Sequence, residues 1–268
     1  MPNVQLPSAG QVAYHLDGDQ STVPLVLLHG FCEDHSVWDS WLAHLSALPV
    51  IRLDLPGFGG SSLPPAAGMS HYAEAVRTVL DEHGIRQCVL HGHSLGGYVA
   101  LEFAAQYPER LLGLGLFHSH PYVDQPATRD KRLRSIEMLH SGKRDLYVAQ
   151  LFPGLFAPAF AEAHATIVQK LIETGQKQPA EAIITALESM LGRRDHTATL
   201  HDMTVPVQMI QGEADTVVPV QLATAAAMLP NMVDLQILPG VGHMGMFEAP
   251  ERTAGMVQSF WTDCLARV

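Results

Sequence analysis

The stretch VLHGHSLGG, residues 89–97, contains the pentapeptide GHSLG, which fits the pattern G-x-S-x-G with Ser94 at its centre. A short apolar run precedes the pentapeptide, and a helical apolar pattern beginning at Tyr98 follows it. A strand, a sharp turn and a helix in this order expose a serine as a nucleophile. Glycines flank the serine because side chains there would collide where the strand and the helix pack. The stretch predicts a nucleophile at Ser94, with an ordinary Gly/Ser turn as the alternative.

Apolar runs alternate with helical patterns on both sides of this stretch. The runs that read as strands are residues 24–28, 50–54, 87–90, 111–117, 205–210 and 235–238. Short continuous apolar runs are typical of parallel strands covered on both faces. Their alternation with helices predicts an α/β fold with a largely parallel sheet. A further strand, residues 12–17, is expected at an edge of the sheet.

The alternation stops between residues 119 and 199, where helical periodicity recurs without a convincing strand. We predict a helical insertion over 119–199 in a core formed by 1–118 and 200–268. Within the insertion, residues 151–160 are apolar but interrupted by proline and glycine, which is typical of a loop. Four side chains of this stretch either pack the insertion or wall an apolar substrate pocket: Leu151, Phe152, Leu155 and Phe156.

The composition excludes several classes of protein. A formal net charge of −11 without a basic run argues against nucleic-acid binding. No apolar run approaches the roughly 18 residues of a membrane span, and the first residues lack the pattern of a signal peptide. The cysteines, Cys32, Cys88 and Cys264, are widely spaced. Cys88 and Cys264 sit in apolar patterns and are expected to be buried free thiols in a reducing compartment, which predicts a cytoplasmic location.

Two H-x-H pairs, at 91/93 and 118/120, raise the question of a metal site. Alternate residues of a strand point to opposite faces, and no third ligand is spaced with either pair. We therefore expect no metal and no cofactor. His118 and His120 follow a predicted strand near the expected pocket, and His118 is our candidate for a substrate contact.

On four features the chain resembles the α/β-hydrolase fold superfamily, in its serine-esterase-like branch, over roughly residues 24–117 and 205–250. The features are HGF at 29–31, DLPGFGGS at 54–61, the G-x-S-x-G turn, and two polar residues that follow later strands, Asp215 in GEAD and His243 in GVGH. The chain order Ser, Asp, His is the order of this fold. The resemblance implies a mostly parallel central sheet flanked by helices, with the insertion as an α-helical cap.

The resemblance also implies a catalytic triad of Ser94, His243 and Asp215. A serine hydroxyl needs a base to take its proton, and a histidine titrates near neutrality. His243 would be that base and later the acid for the leaving group, while Asp215 would orient its ring. The backbone N–H groups of Phe31 and Leu95 would form the oxyanion hole.

Other residues compete for these roles. Glu213 is a second carboxylate on the turn of Asp215, and Asp124 is a rival acid after the sixth strand. His29 precedes the loop that carries the oxyanion donor Phe31, called the oxyanion loop below. It is expected to hold that loop by packing and hydrogen bonds.

We therefore expect a serine hydrolase that cleaves a small carboxylic ester or a lactone through an acyl-enzyme. Serine at position 94 argues against dehalogenases and epoxide hydrolases of the fold, which use aspartate there. Carbon–carbon-bond hydrolases and perhydrolases of the same fold are alternatives. Outside catalysis, the alternatives are a ligand-binding receptor with slow turnover and a silent scaffold, and the intact triad disfavours the scaffold.

Overall fold

The computed structural model of the chain describes residues 2–7, 10–20, 22–46 and 48–267. Its strands are β1 Asn3–Gln5, β2 Gln11–Asp17, β3 Leu25–Leu28, β4 Val50–Leu53, β5 Cys88–His93, β6 Leu111–Phe117, β7 Val207–Gly212 and β8 Val233–Leu238. All eight form one sheet in the order β1-β2-β4-β3-β5-β6-β7-β8. In this order the neighbours from β4 to β8 pair parallel, while β2 pairs antiparallel with both β1 and β4. The predicted α/β fold with a largely parallel sheet is confirmed.

Helices connect the parallel strands and cover the sheet. They are α1 Asp39–Leu42, α2 Met69–Glu82, α3 Leu95–Gln106, α4 Pro126–His140, α5 Arg144–Leu151, α6 Pro158–Ala163, α7 Ala165–Lys177, α8 Ala180–Leu191, α9 Thr197–His201, α10 Val220–Ala226, α11 Gly245–Glu248 and α12 Pro250–Leu265. Helix α2 packs on α3, and α12 packs on α1 and on β6. None of the helices in the described residues is long and apolar enough to cross a membrane.

Between β6 and β7 the described chain is helical, from α4 to α9. Helix α9 crosses the predicted boundary between residues 199 and 200. The interpretation of 151–160 as a loop is wrong, because a 3-10 helix, Phe152–Leu155, and the start of α6 at Pro158 lie within it, separated by two residues. Both helices carry a proline in their first turn. Proline is tolerated there, since its missing N–H would have no partner within the helix.

The predicted edge position of residues 12–17 is also wrong. Strand β2 lies between β1 and β4, and β1 forms the edge. Strand β1 is three residues long, and only Val4 of the three is buried. A strand this short gives no alternating pattern that could be recognised in the sequence.

The carboxyl ends of the parallel strands lie together at one edge of the sheet. Because these strands run in the same direction, the residues that follow them meet there. The segments at this edge begin at His29 after β3, Ser94 after β5, His118 after β6, Glu213 after β7 and Pro239 after β8.

Candidate active site

Ser94 occupies a strained turn between β5 and α3. Its φ of 50° and ψ of −111° lie in a region that residues other than glycine seldom adopt. Its backbone N–H donates to the carbonyl of Phe117 at 2.9 Å. A Cβ on Gly96 would lie 2.5 Å from the carbonyl oxygen of Leu28, and one on Gly92 would collide with the backbone of Gly96. The turn therefore requires both glycines of the pentapeptide.

Asp215 and His243 are in direct contact. The Nδ1 atom of His243 lies 2.7 Å from Oδ2 of Asp215, and both side chains are buried. Since an ionised carboxylate only accepts hydrogen bonds, Nδ1 carries the proton. In the neutral ring, Nε2 is therefore the nitrogen that can accept a proton from another group.

Five hydrogen bonds converge on the carboxylate of Asp215. The Oδ2 atom accepts from His243, from Gln211 at 2.8 Å and from His118 at 3.1 Å, and Oδ1 accepts from the backbone N–H groups of Val217 and Val218. Burial by itself raises the pKa of Asp215. The charge of His243 and the bonds from both histidines outweigh burial and hold this pKa well below its usual range. Asp215 is therefore a carboxylate at neutral pH.

The sequence predicted that His118 contacts the substrate. In the structure its ring lies against the carboxylate of Asp215. Its side chain has no exposed surface, and its φ is 51°. Burial lowers the pKa of His118 to about 4 in spite of the neighbouring carboxylate, so the ring is neutral at neutral pH. A neutral ring donates to Asp215 only as its Nδ1–H tautomer.

The rival acids lie elsewhere. Glu213 is exposed, while the side chain of Asp124 is only 3% exposed and pairs with Arg132 and Arg193. The sequence interpretation missed Gln211, which donates to Asp215. A glutamine in the apolar strand β7 was the signal that could have identified it, because a buried amide needs partners.

The loop after β3 lies beside the serine turn. His29 accepts a hydrogen bond from the backbone of Leu55 on Nε2 at 2.8 Å, and its Nδ1 lies 2.8 Å from the carbonyl of Gly30. The ring of Phe31 contacts Tyr147 with centroids 6.4 Å apart. Among the described residues, none accepts a hydrogen bond from the backbone N–H of Phe31 or Leu95. Both groups are therefore available as donors.

The predicted pocket residues differ in their surroundings. Phe152 is fully buried and lies where a side chain on Gly175 would be. Leu155 accepts a hydrogen bond on its carbonyl from the backbone N–H of His243 at 2.7 Å. Phe156 is buried and stacks on Phe160, and Leu151 is half-buried. This segment therefore packs directly against the loop of His243.

Within the part of the chain that the structure describes, two groups of side chains have the composition of metal ligands. The first consists of His118, Asp215 and His243, and the second of Asp34, His35 and Asp54. A histidine binds a metal through the lone pair of a ring nitrogen, so that nitrogen cannot carry a proton. In the first group the Nδ1 atom of His243 lies 2.7 Å from Asp215, which is the distance of a hydrogen bond. This group therefore has the geometry of a carboxylate that accepts a hydrogen bond from a histidine, as proton transfer by His243 requires.

Comparison with known proteins identifies the family. Residues 23–250 match the family model described as the alpha/beta hydrolase fold. The chain therefore belongs to the alpha/beta hydrolase fold family and is an enzyme of that family, as the sequence predicted.

The individual relatives differ from one another in their named activity. The chain is 28% identical over 247 residues to 2-succinyl-6-hydroxy-2,4-cyclohexadiene-1-carboxylate synthase of Enterobacter sp. (strain 638), covering 91% of this chain and 90% of the relative. An esterase from Thermogutta terrifontis, solved with malate bound, is 26% identical, with a TM-score of 0.92 and coverage of 98% and 99%. The enol-lactonase from Burkholderia xenovorans LB400 is 19% identical, with a TM-score of 0.89 and coverage of 97% and 100%. At that identity the likeness is one of fold.

Proposed function

We propose that the protein is a serine hydrolase that cleaves a small carboxylic ester or a lactone through an acyl-enzyme. The observation that carries the proposal is the 2.7 Å contact of Asp215 with His243 in a fold that presents Ser94 at a strained turn. The esterase from Thermogutta terrifontis supports the choice of reaction.

In this mechanism the Oγ atom of Ser94 attacks the carbonyl carbon while Nε2 of His243 takes the hydroxyl proton. Asp215 fixes the ring by accepting from Nδ1 and stabilises the imidazolium that forms. The free N–H groups of Phe31 and Leu95 stabilise the oxyanion. The imidazolium then protonates the leaving alcohol, and a water molecule activated by His243 releases the acid.

We infer further that the helical segment 119–199 acts as a cap over this site. The segment holds the backbone of His243 through Leu155. Leu151 and Phe156 are its best candidates for pocket walls, since they flank this contact. The fully buried Phe152 and the backbone of Leu155 then support the wall.

The synthase activity of the curated relatives is a second candidate. Its product carries a ring carboxylate and a succinyl group. In this chain Arg132 and Arg193 share the single carboxylate of Asp124, which leaves a net positive charge. The guanidinium of Arg193 lies 4.2 Å from the ring centroid of Tyr98, on the first turn after Ser94. A carboxylate-bearing substrate fits this charge.

The test compares hydrolysis of p-nitrophenyl acetate and butyrate by wild type and Ser94→Ala. We expect kcat/KM to fall by at least about 10³-fold in the variant, because the nucleophile is lost. Ser141→Ala is the matched control, since Ser141 is exposed and ends α4. A serine-directed fluorophosphonate should label Ser94 in wild type and in the control, as mapped by peptide mass.

Equal rates for wild type and Ser94→Ala would reject the hydrolase. Slow single turnover with a stable covalent product would favour the ligand-binding receptor. Conversion of the relatives' own substrate, with ester hydrolysis no faster than in Ser94→Ala, would favour the synthase.

A further inference from the structure

Glu33 is a buried carboxylate in the loop that carries Phe31. Its side chain is 2% exposed, and Oε2 accepts the backbone N–H of Gly30 at 2.7 Å. One backbone hydrogen bond does not offset the burial of a full negative charge, so a positive partner is required. The group that can supply it is His93, whose Nδ1 atom lies 3.4 Å from Oε2 of Glu33. This is a salt-bridge distance, and the two atoms do not form a hydrogen bond.

His93 immediately precedes Ser94, and its two ring nitrogens face different segments. The Nε2 atom lies 2.9 Å from the carbonyl oxygen of His243. A carbonyl only accepts, so Nε2 carries a proton. If Nδ1 were bare, its lone pair would face the carboxylate of Glu33 across a buried contact. The stable arrangement places a second proton on Nδ1, which makes His93 an imidazolium and Glu33 its counter-ion.

The electrostatics of the pair agree with this assignment. Burial is the largest single effect on His93 and by itself lowers its pKa. The contact with the charge of Glu33, the carbonyl of His243 and the charge of Asp215 together outweigh burial and raise this pKa. Burial is likewise the largest single effect on Glu33 and by itself raises its pKa. The contact with His93, the charge of His29 and the hydrogen bond from Gly30 together outweigh burial and lower this pKa. Both shifts favour the charged form of the group concerned.

The pair joins three segments of the site. A Cβ on Gly30 would lie 2.6 Å from Nδ1 of His93 and 3.0 Å from both carboxylate oxygens of Glu33, so the oxyanion loop closes directly over the pair. Through Nε2 the same ring holds the backbone of His243. Ser94 follows His93 directly along the chain.

We propose that Glu33 and His93 form an ion pair that positions the oxyanion loop against the loop of the catalytic base. The proposal rests on the proposed function and adds two positioning residues to it. The pair acts on the donor of Phe31 and on the base His243, and neither of its members supplies a reacting atom.

Other ionisable groups also face His93. The ring of His243 has its centroid 5.0 Å away, and that of His118 lies 6.1 Å away. The charge of Asp215 also acts on His93. The rings of Trp38 and Phe117 also lie against His93, with centroids 6.5 and 5.9 Å away. Glu33 is the group in contact with Nδ1, so its removal should discharge His93.

The main variant is Glu33→Gln, assayed with p-nitrophenyl acetate. We expect kcat to fall about 10- to 100-fold, somewhat less than for the complete loss of an oxyanion donor. KM should change by less than about threefold, because the pair acts on the transition state. Wild-type kcat should also fall at alkaline pH, when the proton on Nδ1 is lost. In Glu33→Gln the amide donates to Nδ1, and this alkaline fall should be absent.

Glu102→Gln is the matched control. Glu102 is another buried glutamate that contacts a histidine, since its Oε2 lies 3.1 Å from Nε2 of His196. The control loses a comparable contact outside the site and should keep wild-type kcat. An equal loss of kcat in Glu33→Gln and Glu102→Gln would overturn the proposal.

A readout that does not depend on activity separates this proposal from the proposed function. In ¹H–¹⁵N spectra of histidine-labelled protein at neutral pH, wild type should give an imidazolium signal that His93→Gln and Glu33→Gln lack. Absence of that signal from wild type would overturn the ion pair. Wild-type activity in Glu33→Gln, with an inactive Ser94→Ala, would overturn the positioning role and leave the hydrolase standing.

Two further variants complete the test. The double variant Glu33→Gln/His93→Gln should lose less kcat than the product of the single losses, because neither group is left without its partner. Strictly multiplicative losses would contradict a coupled pair. If Glu33→Gln does not fold, Glu33→Asp keeps the charge but shortens the reach. It should lower kcat and keep the alkaline fall, and wild-type kcat in it would contradict the proposal.

Discussion

Asp215 holds two histidines on one oxygen atom, and they reach it from the ends of different strands. His118 follows β6, and His243 follows β8. With Gln211 and two backbone N–H groups as further donors, the carboxylate has no freedom to rotate. Its orientation is therefore fixed before any substrate arrives, and so is the tautomer of His243.

At the same scale, Gly96→Ala should disrupt the serine turn. The new Cβ would press on the backbone carbonyls of Leu28 and His29, which cannot rotate away. We expect a loss of roughly 1–3 kcal/mol or more in the free energy of unfolding, measured by urea denaturation. On the proposed function, hydrolysis of p-nitrophenyl acetate should be lost as well.

Gly255→Ala provides the matched comparison. Gly255 lies within α12, and nothing lies within 4 Å of the position of its Cβ. Alanine there should stabilise the protein by about 1 kcal/mol through helix propensity. A Gly96→Ala variant as stable and active as Gly255→Ala would show that the turn tolerates a side chain.

The sequence was informative for residues that follow a strand within a motif. Ser94, Asp215 and His243 are of this kind, because strand ends and glycine-rich turns are visible in one dimension. Glu33 was passed over, since its role depends on a contact with His93 that forms only when two loops meet. For His118 the sequence predicted a substrate contact, whereas its ring contacts Asp215. The sequence does not show the direction of a side chain on a residue with a positive φ.

At the scale of elements, the 3-10 helix Phe152–Leu155 and the residues on either side join the helical segment to the loop of His243. Glu248 strengthens the junction, since its carboxylate accepts from the backbone N–H groups of Ala157, Gly242 and Met244. The sequence predicted the helices of this segment from their periodicity. It missed the short helices because proline at a helix start also fits a loop.

Substitutions in this segment should separate support from pocket wall. Phe152→Ala should lower the free energy of unfolding by about 3–5 kcal/mol, because a buried ring leaves a cavity. It should leave the preference among p-nitrophenyl acetate, butyrate and octanoate unchanged. Leu151→Ala and Phe156→Ala should shift this preference towards octanoate. An unchanged preference in both would assign the whole segment to packing.

At the scale of the whole molecule, buried histidines make stability depend on pH. Burial lowers the pKa of His91 to about 3 and that of His120 to about 4. Unfolded histidine titrates near 6.5. Between these values the unfolded chain binds more protons, so stability falls as the pH falls below about 6.5. His93 acts in the opposite direction at higher pH, because its folded pKa is raised.

His91→Leu should reduce this dependence. Neither ring nitrogen of His91 has a hydrogen-bond partner among the described residues. The variant should be more stable than wild type, and the gain in urea denaturation should be larger at about pH 5 than at about pH 8. The exposed His44 provides the control, since His44→Gln should change stability little at either pH. An equal gain at both pH values would show that His91 does not titrate on unfolding.

The backbone of His243 is held from two distant parts of the chain, by Leu155 on its N–H and by His93 on its carbonyl. During synthesis the turn of Ser94 leaves the ribosome well before the base that would activate it. On the proposed mechanism, the serine would stay unreactive while the growing chain is still incomplete. For the same reason, hydrolysis reports the last step of refolding, and its recovery should lag behind the return of helical circular dichroism.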